Sequence, residues 1–143
     1  MARPFQVTID AVDPARLAAF WAAALDYEVQ PPPAGFASWE EFLGAQGVPR
    51  EQWGTASAIT DPDGVRPRIF FQRVPEPKRA KNRVHLDLQS GGGPGVPVER
   101  QRGAVRAEVD RLVALGATEV SEHADLGVVW VVMRDPEGNE FCA

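Results

Sequence analysis

Four short stretches of this 143-residue chain carry side chains that could do chemistry together. "FQVTID" (5–10) sets Gln6, Thr8 and Asp10 at alternate positions, and "RVHLD" (83–87) does the same with Arg83, His85 and Asp87. "RIFFQRV" (68–74) repeats the spacing with Arg68, Phe70 and Gln72, and "NEFCA" (139–143) with Glu140 and Cys142. Alternate residues of an extended strand share a face. Each stretch therefore predicts a strand with one face of amide, carboxylate, imidazole, guanidinium or thiol groups, the donors and acceptors of a binding or catalytic site. His85 and Glu140 are the candidates for moving protons. Asp87, on the face of His85, favours the imidazolium form. Gln6, Thr8, Asp10, Phe70, Gln72, Asp87 and Cys142 are candidates for ligand contact. Trp53 and Trp130, and less so Trp39, would form an aromatic wall for a flat or apolar compound.

Each has a structural alternative. His85 reads equally as a hydrogen-bonded interior side chain. Asp10 and Asp87 would pair with Arg68 or Arg83, because buried charges need partners. Cys142 reads as a small, half-buried residue and Glu140 as one end of a salt bridge to an arginine. Trp21 belongs to a helix core, and His123 to a loop.

The bulk numbers exclude several classes. A net charge of −5 with a pI near 5.0 disfavours nucleic acid and anionic membrane as partners. The locally basic "EPKRAKNR" (76–83) reads as a solvated loop. One cysteine allows no internal disulfide. The N-terminal stretch lacks the apolar run of a signal peptide, and the expected location is cytoplasmic.

The positioning elements come in two sets. "DPDG" (61–64) and "DPEG" (135–138) are matching turns, and "VTID" (7–10) and "VHLD" (84–87) precede them at nearly equal offset. In the first half Asp13 and Pro14 open a helix with Leu17, Phe20, Trp21, Ala24 and Leu25 on one stripe. In the second, Val105, Val109, Leu112 and Val113 form the stripe and Gly116 ends it. Short β segments follow at 27–30, 55–60 and 68–74, and again at 118–122, 128–134 and 139–143. The order β-α-β-β-β, twice, predicts an α+β fold in one domain, with modules at about 4–75 and 82–143. The first half inserts 31–53, where Ser38 and Glu41 cap a short helix near 39–46. The second inserts 90–103, read as a flexible loop. Two such modules would cup an eight-stranded mixed sheet around a hollow, helices outside, with the polar faces turned inward. Val7, Ile9, Val84, Leu86, Leu88 and Phe141 would face the helices.

"FQVTIDAVDPARLAAFWAAALDYEV" and "VVWVVMRDPEGNEF" resemble the vicinal oxygen chelate superfamily, which includes glyoxalase I, extradiol dioxygenases, and the fosfomycin- and bleomycin-resistance proteins. "RIFFQRVPEPKRAKNRVHLDL" is similar, more narrowly, to the bacterial glyoxalase-like domains. The resemblance implies paired β-α-β-β-β modules, homodimers and, in the enzymes, one divalent metal ion held by end strands. It places ligands near Gln6, Gln72, Arg83 or His85, and Cys142. Arg83 has no acceptor to offer, which leaves Gln6, Gln72 and His85 as the metal set, with Glu140 as a further ligand or base. Cys142 stands where the pattern expects a glutamate. The resemblance thus implies a small-molecule-binding protein that sequesters an organic compound without turnover. The alternative is a metal-dependent lyase, isomerase or dioxygenase, and a module that associates through a sheet edge is the third class.

Overall fold

The computed structural model describes residues 1–143. The chain divides into two compact units, Met1–Pro77 and Lys78–Ala143.

In the first unit, β1 (Val7–Ala11) leads into α1 (Pro14–Leu25). The Asp13 carboxylate accepts the Arg16 N–H at 3.1 Å and Pro14 starts the first turn, as the cap and proline spacing predicts. Leu17, Ala18, Phe20, Trp21, Ala22 and Ala24 are buried along one stripe of the helix. β2 (Glu28–Val29), β3 (Ala56–Thr60) and β4 (Ile69–Arg73) complete a four-stranded sheet in the order β1-β4-β3-β2. β1 and β4 run parallel; the other pairs are antiparallel. Ile9 lies opposite Phe71, and Ile59, Ile69 and Phe71 form the layer beneath α1. The insertion holds α2 (Trp39–Ala45), capped by Ser38 as its spacing with Glu41 predicts, and one 3-10 turn, Arg50–Gln52.

In the second unit, α3 (Val98–Ala114) packs on β5 (Thr118–Asp125) and β6 (Val128–Arg134), and β7 (Glu140–Cys142) closes an antiparallel sheet of order β5-β6-β7. Val105, Val109 and Leu112 of α3 are buried with Val129, Val131, Met133 and Phe141. Gln101 is wholly buried among them. Its amide donates to the carbonyls of Val96 and Gly127, both at 2.7 Å, and accepts the Val129 N–H at 3.1 Å.

The two DP-acid-G turns are built alike. Asp61 accepts the backbone N–H of Asp63 and of Arg66; Asp135 accepts those of Glu137 and Asn139. Gly64 and Gly138 take φ of +67° and +86°, which glycine adopts without a Cβ clash.

Several expectations need correction. The structure has seven strands in sheets of four and three, not eight in one. "VHLD" is no full strand: Asp87 makes a single parallel bridge to Cys142, through Cys142 N–H to Leu86 O and Leu88 N–H to Cys142 O. Val84 is 82% exposed rather than packed on a helix, because the chain bends at 83–84 before the bridge. Val113 is exposed, and Gln101 extends the buried stripe of α3 toward its N-terminus. The stretch 90–103 is half helix, since α3 starts at Val98 behind Pro97 with no side-chain cap. His123 lies on β5, not in a loop.

Candidate functional site

Each unit carries polar residues on the sheet face away from its helix. In the first unit, the parallel register puts Thr8 opposite Phe70 and Asp10 opposite Gln72. Thr8, Asp10 and Gln72 are exposed and Phe70 half-buried, while the intervening Ile69 and Phe71 are buried. Alternation along β1 and β4 therefore does sort the polar set onto one face.

Hydrogen bonds tie this face together. Arg68 donates from Nε to Gln30 Oε1 at 2.7 Å and from Nη1 to Gln6 Oε1 at 2.6 Å. Its guanidinium carbon sits 5.1 Å from the centre of the Phe70 ring. The Gln6 amide nitrogen donates to the Thr8 hydroxyl at 3.3 Å. Gln72 donates to Asp10 Oδ1 at 2.8 Å, so Asp10 pairs with an amide and not with Arg68.

In the second unit, Trp130, Val132 and Cys142 alternate with the buried residues of β6 and β7, and Ser121 and His123 of β5 lie opposite Val132 and Trp130. The His123 ring stacks on Trp130 with centroids 5.5 Å apart, and the Ser121 hydroxyl lies 2.7 Å from its Nε2. At the bridge, His85 Nε2 is 3.2 Å from Asp87 Oδ1. Donor atoms of His85, Asp87 and Cys142 all fall within 4.8 Å of one another. Burial pushes the Cys142 thiol up to about 11; the Asp87 charge and the hydrogen bond between the two add to it. Asp87 thus pairs with His85, not with Arg83.

Glu140 is occupied differently. It accepts the Asn82 N–H at 3.0 Å and pairs with Lys78 at 2.9 Å, with Arg134 further off at 4.0 Å. The Asn82 N–H, and then Lys78, hold its carboxyl down at about 2. Such a carboxylate is a weak proton acceptor near neutral pH; it fastens the segment from Lys78 to Asn82 onto β7. The main partner is a lysine, where the sequence suggested an arginine.

Trp53 is half-buried in the insertion, its indole N–H donating to Val48 O at 2.8 Å and its ring under Arg50. Trp39 likewise donates to Gln30 O at 2.8 Å. Neither is on a strand face. Sequence reading passed over Gln30, which reaches Arg68 across 38 residues, and the Ser121–His123 pair. Period-two spacing at 121 and 123 could have found the latter.

The glyoxalase-like domain model matches residues 6–143. The chain belongs to that family. Among solved structures, the glyoxalase-like chain is similar to a glyoxalase/bleomycin resistance protein/dioxygenase family enzyme from Burkholderia phytofirmans, at 14% identity and a TM-score of 0.58, covering 96% of this chain and 93% of that one. It is also similar to the fosfomycin resistance protein FosX from Listeria monocytogenes, at 12% identity and a TM-score of 0.60, with 99% and 91% covered. FosX from Mesorhizobium loti matches at 11% identity and a TM-score of 0.60, with 99% and 90% covered. One Listeria FosX structure contains Mn(II) and a dihydroxypropylphosphonic acid. At these identities the likeness carries the fold alone. No curated protein matches the glyoxalase-like chain.

The donor chemistry separates two kinds of metal. In the glyoxalase-like chain the Gln6 oxygen holds a guanidinium, which a divalent cation would have to displace against its charge. The His85, Asp87 and Cys142 set offers nitrogen, oxygen and sulfur. That mixture fits a borderline ion such as Zn²⁺ better than hard Mg²⁺ or Mn²⁺, which favour oxygen.

Proposed function

We propose that this protein binds a small organic compound on the polar sheet face of its first unit, beside Phe70, and sequesters it without turnover. The observation that carries this reading is the Arg68–Gln6 hydrogen bond of 2.6 Å. It commits to a cation the amide oxygen that the family resemblance implies as a metal ligand, and leaves a hydrogen-bonding surface beside Phe70. Glu140, held at about 2, is likewise poorly suited to proton transfer. Thr8, Asp10 and Gln72 would supply further contacts. The same reading has the protein cytoplasmic and self-associating as a homodimer.

The clustering of His85, Asp87 and Cys142 favours a second reading, a metal-dependent lyase, isomerase or dioxygenase. Those three residues would hold the ion, and Asp87 would orient the imidazole until it did so. When bound, a metal supplies Lewis-acid polarisation of substrate oxygens.

Metal analysis of untagged protein, with His85→Ala and Cys142→Ser alongside, separates the two. The sequestration reading expects no stoichiometric metal and saturable quenching of tryptophan fluorescence by flat aromatic compounds, with binding weakened in Phe70→Leu. One metal per chain, lost in both variants, replaces it with the enzyme.

A further inference from the structure

Arg68 is half-buried and has only neutral partners. The ion pairs of the structure engage Arg66, Arg102, Arg106, Arg111, Arg134 and Lys78, each with a carboxylate; no carboxylate comes within 4.0 Å of Arg68. A guanidinium taken partly out of water without an anion is an uncompensated charge, and such charges are stabilised by a partner. The surroundings fix its position rather than neutralise it. Gln30 holds Nε and Gln6 holds Nη1, which sets the plane of the fork, and the Phe70 ring lies against it. Guanidinium has five N–H donors. Two are committed here, and Nη2 keeps both of its own. Gln6 is itself steadied by Thr8. Two acids share this face. Glu28, paired with Thr60 on the far side of β3, is two strand spacings or roughly 10 Å from Arg68 and makes no ion pair with it. Asp10, four register positions along β4 or roughly 13 Å at strand rise, is bonded to Gln72.

We infer that Arg68 is the recognition residue for an anionic group on the bound compound, a carboxylate or a phosphonate, carried on a flat apolar body that rests on Phe70. This deepens the sequestration reading and rests on it. A planar fork with preset donors pairs well with two-oxygen anions, and an aromatic ring beside it accepts a planar body. Asp10, at the far end, disfavours a second anion there.

The test compares 1-naphthoate, 1-naphthylphosphonate and the neutral 1-naphthamide by calorimetric titration, with the site mapped by amide chemical shifts. Wild type should bind at least one anion roughly tenfold or more tighter than the amide, the size of one charge-assisted hydrogen bond. The preference should shrink with added salt. Arg68→Met should abolish it while leaving amide binding in place, and Phe70→Leu should weaken all three compounds alike. Arg68→Lys, which keeps the charge but not the fork, should fall between and serves if the methionine variant fails to fold. Equal binding of acids and amide, an anion preference that survives in Arg68→Met and Arg68→Lys, or shifts confined to residues 78–143, each overturns the assignment. So does an Arg68 variant whose only change is loss of self-association, which would make the partner a second copy of the chain. Amide binding without anion preference leaves sequestration standing; binding of none of the three sinks both.

Discussion

At the scale of single residues, the second unit turns on Asp87. It lies 3.2 Å from His85 Nε2, bridges to Cys142 in the backbone, and helps raise the Cys142 thiol to about 11. The thiolate, not the thiol, is the nucleophile and metal ligand. A raised thiol is neutral below its pKa, so at pH 8 Cys142 should alkylate with iodoacetamide more slowly in the folded protein than in urea, and faster as pH approaches 11. Asp87→Asn removes a negative charge beside the sulfur and should speed the reaction at pH 8; an unchanged rate in that variant would show that burial alone raises the thiol. If Zn²⁺ is held there, adding it should block alkylation and release a proton.

At the scale of elements, how much the sequence discloses depends on the range of the interaction. Alternation in "VTID" and "RIFFQRV" displays the two faces of β1 and β4, and the Asp13-Pro14 and Ser38–Glu41 spacings mark the starts of α1 and α2. These are local rules. The Arg68–Gln6 bond spans 62 residues and depends on β1 and β4 being parallel neighbours, which no local pattern states. The start of α3 was hidden because Pro97 offers no capping side chain and glycines precede it. Residues 84–87 alternate like a strand, yet the chain bends at 83–84 and only Asp87 bridges β7. Gln101 was invisible for a related reason: an amide in a helix looks like a solvent-facing residue until the loop before α3 and the β5–β6 hairpin both reach it. Gln101→Leu keeps the volume but orphans two carbonyls and one N–H. We expect a loss of about 2–5 kcal/mol from chemical denaturation, several unsatisfied groups at about 1–3 kcal/mol each. A variant within about 0.5 kcal/mol of wild type would mean that water replaces the amide.

At the scale of the whole molecule, the ionic pattern sets a direction for pH. Asp61, Glu108, Glu119 and Glu140 all titrate below their usual values. Their leading causes are the Arg66 N–H, the Arg111 side chain, the Arg106 side chain and the Asn82 N–H, respectively. Below pH 4.5 the unfolded chain binds more protons than the folded one, so stability falls as acid is added. For Glu140 the contribution is complete above about pH 4.5 and is lost as pH drops toward about 2. The urea midpoint should stay nearly level from pH 7 to pH 5 and decline by pH 3; a level midpoint at pH 3 is incompatible with these pairings. The twin turns carry a different lesson. Asp61 is answered by Arg66, five residues on, and Asp135 by Asn139, four residues on. The anchoring acid is common to both copies while its answering residue has diverged, so the segments are not interchangeable cassettes. Transplanting 135–138 alone into the first copy would keep Arg66 and preserve the anchor, whereas Arg66→Asn would keep the 2.8 Å backbone bond to Asp61 and remove the guanidinium contact, which an asparagine at that spacing is too short to replace.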